Sequence, residues 1–466
     1  MTGLPALEAA LQRDLALLQY PKRAWVPERT TPDGQPILDV LIVGGGQGGL
    51  ATAAALRREK VLNILVVDRN PPDRAGPWLN FARMNTLRTP KHLTGPDMGI
   101  PNLTIQAWWE AQHGEGSWAQ MGLVPKESWA AYLAWYRRML DLPVRAETEL
   151  TALRWDDEAD AFAATVRHGG EDEVLHARRV VLATGIEGSG DWHVPSFIAD
   201  ALPARRYAHT RWDIDFDALA GKRVAVLGAG ASAFDNAAVA LERGAAAVDL
   251  FFRRDKLVNV NAYRWAEFVG FLRHVGDLDD ATRWKFIRKI LRMGQLPPTD
   301  TFERARKHDA FTLHPSSPWT AVRDTPQGVV ITTPKGEHTC DFVIAGTGFI
   351  TDLSLRPELA ELREHIVLWS ERYTPPAGEE HPDLARHPYL GPNFEFLPRT
   401  GDTPWVSHVY NYTFGCLLSR GFGGASISGM KYSIPRLVGG ITRSLFAEDS
   451  DAHYQSLCDY AVEEFQ

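Results

Sequence analysis

Residues 38–49 read Leu38-Asp39-Val40-Leu41-Ile42-Val43-Gly44-Gly45-Gly46-Gln47-Gly48-Gly49. Leu38–Val43 is an apolar run broken only by Asp39, the pattern of a parallel strand buried on both faces. Gly44, Gly46 and Gly49 then fall in the G-x-G-x-x-G register. The first glycine permits a tight turn, the second lets the backbone approach a pyrophosphate, and the third lets helix and strand pack closely. Leu50–Arg58 is rich in alanine and reads as that helix, whose unpaired N–H groups suit phosphate oxygens. Asn63–Val67 is a second buried strand ending at Asp68, 24 residues after Gly44. A carboxylate there accepts hydrogen bonds from a ribose hydroxyl. A lone glycine motif is weak evidence, but strand, turn, helix and acid in this order point to a bound dinucleotide.

A second copy begins at Lys222, with Gly228 lying 184 residues after Gly44. Arg223–Leu227 reads as a strand, Gly228-Ala229-Gly230-Ala231-Ser232-Ala233 as the turn, Phe234–Glu242 as the helix and Ala247–Phe252 as the next strand. Ala233 stands at the third glycine position, where a methyl group widens the helix–strand contact only slightly. Ser232 adds a hydroxyl for phosphate. The second strand ends in Arg253 and Arg254 with no acid, and arginine suits a 2′-phosphate through bidentate charge-assisted bonds. A solvated strand end is the bland alternative for both arginines and for Lys256. The first site therefore fits FAD and the second NADPH.

The remaining composition narrows the class. The chain has 466 residues, 44% hydrophobic and 23% charged, which is enough for a sizeable soluble core in more than one domain. Fifty Lys and Arg against 58 Asp and Glu give a net charge of -8 and argue against a nucleic-acid partner. Cys340, Cys416 and Cys458 form no C-x-x-C pair and no even disulfide framework, which disfavours dithiol chemistry and points to a reducing, cytoplasmic compartment. No apolar run reaches the roughly 18–20 residues that span a bilayer. No Ser-His-Asp arrangement, H-E-x-x-H motif or metal-spaced histidine cluster stands out.

The expected fold is α/β with two Rossmann-like dinucleotide-binding domains, the NADPH domain inserted in the FAD domain. The divisions are an amino-terminal helix and extended arm (1–37), the first part of the FAD domain (38–200), and the inserted domain with a helical segment at 262–295 (201–335). The rest of the FAD domain (336–446) and a tail (447–466) follow. Residues 78–127 read as long irregular structure. Trp108, Trp109, Trp118 and Trp129 suit a lid or, more simply, core packing.

These pieces together resemble the flavin-dependent monooxygenases with FAD and NADPH domains in one chain, namely the flavin-containing, Baeyer–Villiger and N-hydroxylating groups. The resemblance covers most of 38–446. It rests on Gly44–Gly49, Gly76-Pro77-Trp78, Ala183-Thr184-Gly185, Gly228–Ser232 and Gly346-Thr347-Gly348-Phe349 in that order. It implies that Gly76, Trp78, Thr184, Gly185 and Gly348 contact cofactor. A loop beside the flavin would carry Asn85, Arg88, Lys91 and, further on, Asp97. Pro203–His209 stands where two of the groups carry Phe-x-Gly-x-x-x-His. Only His209 is kept, so a standard Baeyer–Villiger enzyme is disfavoured. His209 is a hinge candidate with a packing histidine as the alternative, and Asn411 is a candidate for substrate or flavin. The resemblance implies N-, S- or aromatic-carbon oxygenation through a C4a-(hydro)peroxyflavin. The partners would be a small organic substrate and O2, with a homo-oligomer left open. The alternative is an NAD(P)H-dependent flavoprotein reductase without oxygen insertion.

Overall fold

The computed structural model describes residues 3–93 and 95–465; residues 1 and 2 of the amino-terminal segment and 466 of the tail lie outside them. Two sheets organise the chain. In the first, Pro36–Val43 lies between Ile64–Val67 and Glu171–Leu182 and runs parallel to both. Val40, Leu41 and Ile42 are fully buried, as a run without alternation requires. Val409–Asn411 returns from the far end of the chain and adds a parallel strand beside Val180–Leu182. Thr148–Asp156 and Ala161–His168 extend the sheet as an antiparallel meander.

The second sheet is wholly parallel, in the order Phe311–His314, Ala247–Phe251, Arg223–Leu227, Phe342–Ala345, Tyr207–His209. It therefore runs past residue 335. Val343 and Ile344 are fully buried beside Ala225 and Val226. Asp341, just before them, takes hydrogen bonds from the backbone N–H and guanidinium of Arg223. That carboxylate fixes the register of the strand, which belongs to the inserted fold. Crossing between the domains is made by two short antiparallel strands, Gly190–Trp192 and Phe349–Thr351.

Several elements differ from the sequence reading. The amino-terminal helix spans Leu4–Leu17; the helix after the first glycine turn spans Gln47–Arg58 and takes in Gly48 and Gly49, the latter a glycine because a β-carbon there would lie 1.8 Å from the Gly44 carbonyl oxygen. The irregular region contains a helix, Ile105–His113, whose first turn is capped by Thr104 accepting from the Ala107 N–H. Trp108, Trp118 and Trp129 are buried in the first core, so these three pack rather than cover a pocket. The segment at 262–295 breaks into Ala262–Trp265, Val269–His274 and Asp280–Met293, the last started by an Asp279 cap. The tail carries a helix, Ser450–Cys458. Before it, the long helix Ile427–Glu448 is held at its end by buried Arg178 and Arg179, which pair with Glu448 and Asp449. No helix among the described residues is long and apolar enough to cross a membrane.

Candidate active site

The two glycine turns open onto one cleft. Its cavity, about 460 Å³, is walled by Gly44, Gly46, Asp68, Trp78 and Thr184 from the first domain and by Gly230 and Ser232 from the second. Gly44 has φ +109°, and a β-carbon there would lie 2.6 Å from the Ala183 carbonyl oxygen. Only glycine lets the turn pass this close to the neighbouring strand end. Asp68 accepts from the Gly45 N–H at 2.6 Å and the Asn70 N–H at 2.8 Å. The acid thus braces the turn while its remaining acceptor capacity faces the cavity.

The cleft fits two dinucleotides on three observations. The helices Gln47–Arg58 and Ala231–Glu242 are capped by Gly46 and Gly230, neither with a side chain to satisfy the first N–H groups. Those donors are left for an anion, and the helix dipole favours one there. A β-carbon on Gly230, Gly185 or Gly348 would meet nothing within 4 Å, so these backbones border open space. The buried Trp78 indole N–H has no partner among the described residues.

A second cavity of about 1100 Å³ shares Gln47, Trp78, Arg88 and Gly348 with the first. One wall comes from the helical segment of the inserted domain: Asn261, Tyr263, Arg264 and Glu267. The opposite wall is Thr413, Phe414 and the Gly421–Ser428 stretch, and His381 and His387 close another side. Aromatic pairs line it, Phe349 with Phe414 at 4.7 Å and Tyr263 stacked on Phe422 at 5.4 Å.

The structure gathers most of the residues singled out from the sequence. Gly44, Gly46, Asp68, Gly76, Trp78, Thr184, Gly185, Gly230, Ser232 and Gly348 face the first cavity. Gly49 and Gly228 stand behind the turns, the latter because a β-carbon would lie 2.3 Å from the Gly346 carbonyl oxygen. Arg88 faces both cavities and donates to Asp235 across the domains at 2.6 Å. Asn85 is exposed and off both walls. Lys91 donates to the carbonyls of Trp118 and Met121, closing the helix Ser117–Gln120. Asp97 is buried in its own turn, accepting from the Gly99 N–H at 2.9 Å. Arg253 is exposed at its strand end, whereas Arg254 donates to the carbonyls of Arg292 and Met293 at the end of the helix Asp280–Met293. Asn411 is buried and accepts from Thr413, outside both cavities.

His209 is fully buried at the end of its strand, 5.4 Å from the Trp192 ring, with Nδ1 accepting from the Arg211 N–H. Burial lowers its pKa to about 4, which keeps the ring neutral near pH 7. The sequence reading missed Glu187, on the wall of the first cavity. Burial pushes its carboxyl up, but a hydrogen bond from Arg211 and the charges of Arg69 and Arg211 outweigh that and hold it below the usual range. Asn261, Arg264, His381 and His387 were missed too, for they belong to no motif and meet only through the fold.

Comparison with known proteins follows the same lines. A family described as FAD-NAD(P)-binding matches residues 41–187, and one described as L-lysine 6-monooxygenase/L-ornithine 5-monooxygenase matches residues 118–268. A FAD-dependent urate hydroxylase of Xanthomonas campestris pv. campestris is 46% identical over 465 residues, 99% of this chain and 97% of that protein. A Baeyer-Villiger monooxygenase of Streptomyces coelicolor is 31% identical over 198 residues, 42% of this chain and 34% of that protein. An ornithine hydroxylase from Pseudomonas aeruginosa superposes with a TM-score of 0.70 at 15% identity, over 88% of this chain and 100% of that one. An ornithine N-hydroxylase of Kutzneria gives 0.68 at 16%, with the same coverage. At these identities the structural likeness concerns the fold.

Proposed function

The chain belongs to the FAD- and NADPH-dependent monooxygenases built on two dinucleotide-binding domains, and on that premise we propose that it hydroxylates urate, or a closely related oxopurine, at a ring carbon. The observation that carries this reading is the 46% identity to a urate hydroxylase across 99% of the chain. The second cavity supports it chemically. Urate is flat, anionic at neutral pH and edged by alternating N–H and C=O groups. Tyr263, Phe349, Phe414 and Phe422 offer flat faces, Gln47 and Asn261 offer amides, and Arg264 offers a guanidinium.

Bound FAD, once reduced, supplies the two-electron route from nicotinamide to O2. The chain's own residues hold, orient and dry the reactants. The uncapped helix at Gly46 and the carboxylate of Asp68 take the FAD diphosphate and ribose; the one at Gly230, with Ser232, takes the NADPH diphosphate. Trp78 and Arg88 present N–H donors where the two cavities meet. The aromatic walls limit water around the site of oxygen transfer. Urate, NADPH, a proton and O2 become hydroxylated product, NADP⁺ and water. The ring carbon is electron-rich, so no protein nucleophile is required.

Under air, urate is expected to stimulate oxygen uptake and NADPH oxidation in equal amounts, with one atom of labelled O2 in the product. Untouched urate with all consumed oxygen recovered as peroxide would overturn the substrate. Rapid anaerobic transfer to a quinone, with no oxygenated product from any substrate, would favour the reductase reading.

Arg253 gives a separate expectation for the coenzyme. Losing a charge-assisted pair to a 2′-phosphate costs roughly 1.5–3 kcal/mol. Arg253→Ala should lower kcat/KM for NADPH about ten-fold or more and leave NADH nearly unchanged. Arg254→Ala should instead lower thermal stability, since that guanidinium is spent on a helix end. An unaltered NADPH-to-NADH ratio in Arg253→Ala would remove Arg253 from the site.

A further inference from the structure

The segment His381-Pro382-Asp383-Leu384-Ala385-Arg386-His387 forms one short helix, Pro382–Ala385, with a histidine at either end. His387 is 2% exposed and lines the second cavity. Its Nδ1 lies 3.0 Å from the Asp383 carbonyl oxygen. A carbonyl only accepts, so Nδ1 carries the ring proton and Nε2 is a bare acceptor. That Nε2 is buried and has no donor among the described residues. Burial lowers the histidine's pKa to about 4, which keeps the ring neutral near pH 7.

A buried acceptor without a donor is unfavourable, and folded proteins hold few of them. Unpartnered ring nitrogens also occur in His209, His308, His408 and His453, but none of those residues lines either cavity. His387 differs in belonging to the wall of the second cavity, with its Nε2 just beneath the cavity surface and out of reach of water. We propose that His387 anchors the substrate by accepting a hydrogen bond from one of its N–H groups at Nε2. The neighbouring His381 also lines the cavity, and its Nδ1 accepts from the Leu384 N–H at 3.4 Å, which leaves the proton on its Nε2. One short segment therefore carries an acceptor and a donor on the wall of one cavity. The inference rests on the oxygenase reading of this cavity and adds the group that selects substrates bearing N–H.

The test compares His387→Leu, which has no acceptor, with His387→Gln, whose Oε1 reaches toward the Nε2 position. Urate, xanthine, L-ornithine and L-lysine are titrated against oxidised holoenzyme by flavin absorbance and assayed for turnover. His387→Leu is expected to raise Kd and KM for urate about ten-fold or more. It should also raise the share of oxygen lost as peroxide. FAD content and anaerobic flavin reduction by NADPH stay at wild-type values, and His387→Gln recovers most of the affinity. Wild-type Kd and coupling in His387→Leu would overturn the proposal. Should His387→Leu fail to hold FAD, the mono-N-methylurates are titrated against wild-type enzyme. One position should lose about ten-fold in affinity through its missing N–H, and equal binding of all of them would count against His387. If wild-type enzyme oxygenates the amines and not urate, the oxopurine reading falls alone, and His387 stands or falls on whether His387→Leu weakens the amine. Wild-type enzyme that binds no member of the panel overturns both.

Discussion

Gly49→Ala is expected to give a folded but nearly colourless protein. The β-carbon would lie 1.8 Å from the Gly44 carbonyl oxygen and 3.0 Å from its carbon, both backbone atoms that no rotamer change can move. Gly44 cannot retreat, for its φ of +109° already holds it against the Ala183 carbonyl. The helix Gln47–Arg58 must therefore slide away from its strand. Its uncapped N–H groups move with it, and the pyrophosphate loses donors whose value depends on fixed direction. Overpacking of this kind costs roughly 1–3 kcal/mol in place. Added to lost phosphate contacts, it should weaken FAD binding on the order of 100-fold or more, at 1.4 kcal/mol per ten-fold. The ratio of flavin to protein absorbance after purification, and titration of apoprotein with FAD, measure this directly. The second turn supplies the control. Ala233 already occupies the matching position, and the room comes from Gly346, whose added β-carbon would lie 2.7 Å from the Ala233 methyl. Ala233→Gly should cost no more than about 1 kcal/mol of stability and leave flavin content unchanged. Wild-type flavin content in Gly49→Ala would mean that the first turn does not bind the diphosphate.

The contrast between these two turns explains what the sequence could disclose. Strand, glycine turn, helix and acid are contiguous, and each is fixed by local sterics, so residues 38–68 announce their fold and their ligand type together. Residues whose role depends on distant partners do not. Arg253 and Arg254 are adjacent and chemically alike, yet the carbonyls of Arg292 and Met293 engage only the second. Lys91 looks like a flavin-site cation until the carbonyls of Trp118 and Met121 occupy it. The strand Phe342–Ala345 reads from sequence as part of the FAD domain, yet it joins the inserted sheet, because its partner, Arg223–Leu227, lies more than a hundred residues earlier. His387 has no motif at all. Its bare nitrogen follows from a carbonyl four residues back, and its position from the packing of the whole second cavity.

Arg88→Ala is expected to slow anaerobic reduction of bound flavin by NADPH on the order of 100-fold while leaving FAD in place. Arg88 comes from a first-domain loop, and its guanidinium donates to Asp235 at 2.6 Å on the helix Ala231–Glu242 of the second domain. Asp235 is 3% exposed and takes its other bond from the Thr301 hydroxyl at 2.9 Å. The pair thus clamps that helix against the first domain at the point where the two cavities meet. Removing one partner from a fully buried ion pair costs roughly 3–5 kcal/mol. Here the Arg88 side chain is 28% exposed and Thr301 keeps its bond to Asp235, so about 1–2 kcal/mol of stability is the expected loss. The kinetic consequence is larger, because a displacement of about 1 Å between reacting rings costs roughly 100-fold in rate. Chemical reduction by dithionite needs no alignment and should proceed as in wild type. Arg88→Lys keeps the charge without the planar fork, and Asp235→Asn keeps the shape without the charge; both should fall between the extremes. Reduction at the wild-type rate in Arg88→Ala would assign the alignment of the domains to the crossing strands Gly190–Trp192 and Phe349–Thr351, which join the second domain to the first by backbone pairing.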